Sequence, residues 1–125
     1  MKAFDFDAYR WKTRPLLVFA PDAADERLQR QYALTQQAGP GLAERDMLVI
    51  RVIGQDTAYV DGTPLPKTAA TQLRTRFGVP PEAFAVLLVG KDGGVKRTED
   101  DVTPMEPIFQ QVDGMPMRRQ EMRQE

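Results

Sequence analysis

The sequence predicts an α/β fold, a four-stranded mixed sheet flanked by helices in the order β-α-β-α-β-β-α. Three observations predict it. Leu16–Ala20 and Phe84–Val89 are short, continuous apolar runs with the length of buried strands. Segments of helical period separate Leu16–Ala20 from a β-prone run at Asp46–Ile53, and that run from Phe84. Asp92-Gly93, after Val89, is the turn signal of a tight hairpin.

Each element follows in order. Phe4, Phe6, Tyr9 and Trp11 alternate with charge, which reads as an arm or short helical turn packed on the body. Leu16-Leu17-Val18-Phe19-Ala20 after Pro15 is the central strand. Asp22 or Asp25 opens a helix near Asp22–Ala38, with Leu28, Tyr32 and Thr35 on one face, and Gly39-Pro40-Gly41 is expected to end it. Asp46–Ile53 is the second strand. Gly54–Pro66 reads as irregular, with a turn at Asp61-Gly62. Lys67–Phe77 is a helix closed by Gly78. Phe84–Val89 and Gly94–Thr98 form the hairpin, and Thr103 or Pro104 starts a last helix through Ile108, Phe109 and Val112.

The first β-α-β crossover should be right-handed and parallel. The expected order across the sheet is second, first, third, fourth strand, the minimal thioredoxin core. The whole chain, 1–125, is read as a single domain, with 1–13 an N-terminal arm and 114–125 a C-terminal tail.

Composition excludes more than it suggests. There is no Cys, His, Ser or Asn. Disulfides, thiolate nucleophiles, imidazole bases and zinc sites built on Cys or His are therefore ruled out. Net charge is -1, so nothing at whole-chain level points to nucleic acid. Twelve arginines against five lysines favour two-pronged binding of carboxylates or phosphates. No apolar run is long enough to span a bilayer, and Met1–Arg14 lacks the apolar stretch of a signal peptide. No cofactor and no metal are expected. Glu99-Asp100-Asp101 lacks the spacing and glycine of a calcium loop.

Phe19-Ala20-Pro21-Asp22-Ala23-Ala24-Asp25-Glu26 resembles the strand-to-helix turn of the thioredoxin-like superfamily, with Ala23 and Glu26 at the two cysteine positions. Val86–Gly94 resembles the strand and hairpin after the family's cis-proline, whose own position reads roughly Ala85. A redox-inactive domain is implied. A second resemblance covers nearly the whole chain. Tyr9-Arg10-Trp11-Lys12-Thr13-Arg14, Glu44-Arg45-Asp46, Gly90-Lys91-Asp92-Gly93-Gly94-Val95-Lys96 and Asp113-Gly114-Met115-Pro116-Met117-Arg118-Arg119-Gln120-Glu121 resemble the signature blocks of the domain of unknown function 4174 family. That resemblance implies kinship with small, often exported bacterial proteins and with domains of sushi-repeat extracellular proteins. It suggests a periplasmic or secreted setting and supplies no catalytic residue.

The expected topology sends these blocks to one pole, opposite the end where thioredoxin does its chemistry. Arg14, Arg45, Asp46, Lys91, Asp92, Arg118, Arg119 and Glu121 form the candidate cluster. Three readings apply. Arg14, Arg45 and Arg118 pair with Asp46, Asp92 and Glu121 as a structural clamp on the tail. The same arginines bind a small anion or a carboxylate-bearing protein. Or Lys91, Asp92 and Glu121, with Arg118 and Arg119, serve an enzyme of unknown reaction. The leading expectation is a non-catalytic binding or scaffold domain whose partner is a protein or small anion. Arg118 and Arg119 are expected to differ, one buried against Asp92 or Asp46 and the other facing out. Trp11 reads as core or surface packing, and beside Lys12 and Arg14 it has the alternative of stacking a ring or base. Met115 and Met117 read as gap-fillers. The opposite pole collects Asp22, Asp25, Glu26, Asp56, Glu82, Glu99, Asp100 and Asp101 and reads as a solvated face.

Overall fold

Strand β1 (Arg14–Ala20) is buried at every residue. In the computed structural model, which describes residues 4–124, it lies inside a six-stranded mixed sheet. It pairs in parallel with β2 (Met47–Ile53) and antiparallel with β5 (Ala85–Val89). Helices α1 (Glu26–Gln37) and α2 (Gly39–Glu44) make the β1–β2 crossover. Asp25 caps α1 by accepting the Arg27 N–H at 2.8 Å.

Alternation along the strands feeds two cores. Leu17, Phe19, Ile50, Val52 and Leu87 meet α3 (Thr68–Phe77) and Phe6 of the N-terminal arm. Leu16, Val18, Val49, Val86 and Leu88 meet α1, α2 and α4 (Met105–Asp113). Both faces of β1 are covered, so its run is continuously apolar rather than alternating.

One expectation needs correction and another an addition. The sheet has six strands, not four. Gly54–Pro66 contributes β3 (Thr57–Val60) and β4 (Thr63–Pro64), which extend the sheet beyond β2 in the order β4-β3-β2-β1-β5-β6. The expected Asp61-Gly62 turn joins them, both residues at positive φ (48° and 89°), the geometry a two-residue hairpin needs. And Gly39-Pro40-Gly41, the expected end of the helix, also opens another. α1 ends at Gln37 with Ala38 as its cap, and Pro40 sits in the first turn of α2, where its missing N–H is harmless.

The edges are blunted. β4 is two residues long and contains Pro64, and β6 (Val95–Glu99) carries Lys96 and Arg97. Residues 114–125, expected as a tail, contain helix α5 (Pro116–Arg123), again started by a proline. Among the described residues no helix is long and apolar enough to cross a membrane.

Candidate functional site

Arg14 starts β1 and is 1 % exposed, a buried cation that requires a partner. Its guanidinium donates two hydrogen bonds to the Glu121 carboxylate (3.2 and 3.0 Å) and one to the Arg45 carbonyl (2.7 Å). Lys91, in the turn after β5, donates to Glu121 and to Asp46, each at 2.8 Å. Arg45, at the end of α2, donates twice to Asp113 at 3.0 Å and lies 4.2 Å from the centre of the Phe109 ring. Arg118, 2 % exposed, donates to Asp113 (3.1 Å) and to the Glu44 carbonyl (3.1 Å). The structure thus brings together Arg14, Arg45, Asp46, Lys91, Arg118 and Glu121, and ties α5 to the starts of β1 and β2 and to the β5–β6 turn.

Asp92 and Arg119 stand apart. Asp92 pairs with Lys96 inside the hairpin (2.9 Å) and accepts the Gly94 N–H (2.9 Å). Arg119 is exposed. The expected split between the two tail arginines is present, but Arg118 is buried against Asp113 and Glu44, not Asp92 or Asp46. Asp113, the acid that joins Arg45 to Arg118, was missed as a network member although it opens the Asp113-Gly114-Met115 block. The signal available was its place at the end of a helix descending to the same pole.

The network moves its own proton equilibria. Burial works to lower the Lys91 pKa, but the hydrogen bonds it donates to Asp46 and Glu121 outweigh burial and the net shift is upward. Burial works to raise the Glu121 carboxyl, and Arg14 and Lys91 outweigh it and hold it below its usual range. Asp113 behaves alike, with Arg45 and Arg118 prevailing over burial. All three groups move away from neutrality, the wrong direction for a general base or acid near pH 7.

Beside this network lies a groove of about 630 Å³. Arg14 and Lys91 form part of its wall, Lys96 and Asp92 its hairpin side, and Trp11, Met115 and Met117 its apolar part. Trp11 lies at the surface, not in the core. It is 61 % exposed, its backbone is left-handed (φ 69°), and its N–H donates to the Lys91 carbonyl at 2.6 Å. Met117 is 39 % exposed and fills no gap. Gly93 holds the turn at φ 86°, and a side chain there would meet the Arg10 guanidinium at 2.9 Å.

At the opposite end of β1, Ala23 and Glu26, which precede and open α1, are exposed. Beneath them Arg74 of α3, 5 % exposed, donates to the carbonyls of Ala20 (2.8 Å), Gly54 (2.7 Å) and Pro80 (2.6 Å). Sequence reasoning missed Arg74, since one arginine in a helix with Arg76 reads as solvated. Gln31 of α1 was missed for the same reason. It is fully buried and its amide pairs with both the N–H and the carbonyl of Thr103. Among the described residues no group of three or more acids is placed to hold a metal ion.

The fold defines a thioredoxin-like domain whose sequence holds no cysteine and which carries a network of buried ion pairs at the start of β1. The chain belongs to the family described as Domain of unknown function (DUF4174), whose sequence profile matches residues 5–121. It is similar to coiled-coil domain-containing protein 80 of Danio rerio, 34 % identical over 131 residues, covering 91 % of this chain and 15 % of that protein. It is also similar to sushi repeat-containing protein SRPX of Rattus norvegicus, 32 % identical over 120 residues, covering 93 % of this chain and 26 % of that protein. The chain therefore spans about a quarter or less of these relatives. Among solved structures it resembles the reduced 2-Cys peroxiredoxin of Plasmodium vivax (TM-score 0.68, 14 % identity, 95 % of this chain and 85 % of that one). Plasmodium yoelii thioredoxin peroxidase I is similar (TM-score 0.67, 14 % identity, 92 % and 79 %). At that identity the likeness shows the fold alone, and the thiols those enzymes' class requires are absent here.

Proposed function

We propose that this chain is a non-catalytic binding domain that seats a segment of a partner protein in the groove beside Trp11, with the arginine network behind it as scaffold. One observation carries the reading. A tryptophan is held largely exposed, in a backbone conformation that costs a bulky residue about 1–3 kcal/mol, at the mouth of a groove. Burial of the indole does not offset that cost. Tryptophan is enriched among the residues that dominate binding energy, and methionine adapts its shape to a partner.

An apolar protein segment suits the groove better than a small anion, because Glu121 and Asp92 already neutralise its cations. The upward shift of Lys91 weighs against the enzymatic alternative. Family kinship supports an exported setting, periplasmic or secreted, as part of this proposal.

The test couples capture to spectroscopy. The immobilised domain should retain a defined partner from the native envelope extract, and the purified partner should shift the emission of the single tryptophan. Trp11→Ala and Met117→Asp should each lose the partner while keeping the melting temperature. Equal retention by wild type and both variants sinks the proposal.

A further inference from the structure

Every other arginine that is at least partly buried donates to a carboxylate, carbonyl or amide oxygen: Arg14, Arg27, Arg45, Arg74, Arg97 and Arg118. Arg51 does not. It sits half-buried on β2, opposite Tyr59 of β3. Its guanidinium lies 4.3 Å from the Tyr32 ring centre and 4.8 Å from that of Tyr59. Among the described residues it has no ion pair and no side-chain hydrogen bond. Two aromatic faces thus orient a guanidinium whose five N–H donors remain uncommitted.

Arg51 lines a second groove, of about 350 Å³, separate from the one beside Trp11. Leu42, Met47 and Val49 supply apolar surface, and Asp61 lines it too. Asp61 does not neutralise Arg51. Its carboxylate accepts the Val49 N–H at 3.0 Å. Arg51 and Met47 are four residues apart on the same face of an extended strand, about 13 Å.

We propose that this groove is a binding site for a small monocarboxylic acid with an apolar chain. The carboxylate takes the two-pronged hydrogen bonds of Arg51, and the chain lies over Val49 and Met47 towards Leu42. A doubly charged phosphate is disfavoured, because no second cation lines the groove and the Asp61 carboxylate repels it. The site is independent of the binding proposed beside Trp11.

The probe is octanoate, followed by calorimetry and by the guanidinium and backbone amide resonances of the intact chain. Saturable one-to-one binding is expected, with shifts at Arg51, Val49 and Met47 and none at Trp11. Arg51→Gln should weaken it at least tenfold while the chain remains folded with a cooperative melt, and octanol should bind at least tenfold more weakly than octanoate. Asp61→Asn keeps an acceptor for the Val49 N–H and tolerates the left-handed backbone, so it should retain octanoate and narrow the gap to octyl phosphate. Trp11→Ala should leave octanoate binding unchanged. The proposal is overturned by absence of saturable binding, by equal binding to Arg51→Gln, or by tighter binding of octyl phosphate than of octanoate to the wild type.

Discussion

Arg14 and Glu121, 107 positions apart, are joined by two hydrogen bonds of 3.2 and 3.0 Å. One residue begins the central strand and the other lies in the last helix, so the pair fastens the C-terminal helix to the base of the sheet. Lys91 shares the same carboxylate at 2.8 Å. Replacing Glu121 by Gln would leave a buried guanidinium without its counter-charge, which is costly. Amide protection in α5 should fall well before protection in β1. Equal loss in both elements would show that the pair does not act as a local fastener.

The pH dependence follows from the same pair. Glu121 and Asp113 have folded pKa values below their ordinary ones. For a carboxylate so depressed, the stabilisation is present above the unfolded values, about 4.3 for Glu and 3.9 for Asp, and is lost as pH falls through the folded values. Lys91 is raised, so its contribution is present below about pH 10.4 and is lost as pH rises through its folded value. With no histidine in the chain, the urea midpoint should be nearly flat from about pH 5 to 8 and fall below about pH 4. A transition centred near pH 6.5 would contradict this.

Arg118 and Arg119 should separate in one pair of variants. Arg118→Ala removes a buried cation from Asp113 and the Glu44 carbonyl, but Asp113 keeps Arg45. The expected loss is therefore at the low end of the range for broken buried pairs, about 3 kcal/mol. Arg119→Ala, at an exposed position, should stay within about 0.5 kcal/mol of wild type in denaturant unfolding.

Trp11→Gly should be at least as stable as the wild type, since glycine adopts positive φ freely and the lost side chain is mostly exposed. Under the proposed function it should also lose its partner. A drop in melting temperature of several degrees would show that Trp11 is held for packing.

Arg74→Leu keeps the apolar stem but leaves three carbonyls without their donor. Unsatisfied buried polar groups cost about 1–3 kcal/mol each, so the total should be about 3 kcal/mol or more. A chemical-denaturation difference under about 1 kcal/mol would place these carbonyls in contact with water.

Among the elements, those with local causes were legible. The apolar run Leu16–Ala20, the hairpin turn at Asp92-Gly93 and the positive-φ turn at Asp61-Gly62 follow from side-chain type over a few residues. The turn at Asp61-Gly62 was read correctly, yet its flanking strands were not, because each is four residues or fewer and gains strand character only by pairing with β2.

The sequence by itself determined that this chain holds no cysteine for thiol chemistry, that a β-α-β crossover and a later β-hairpin are separated by a helix, and that most of its charged blocks share one pole. Those conclusions need only residue identity, local periodicity and the direction of each strand. Only the tertiary structure decided which charge meets which. Arg118 chose Asp113 and Glu44 over Asp46 and Asp92, Lys91 joined Asp46 to Glu121, Arg51 found two tyrosines, and Trp11 stayed exposed. Ion pairing and burial of polar side chains depend on ångström-scale distances between segments as many as 107 positions apart. A chain of polar residues at helical spacing reads the same whether its arginine lies in water or beneath a sheet.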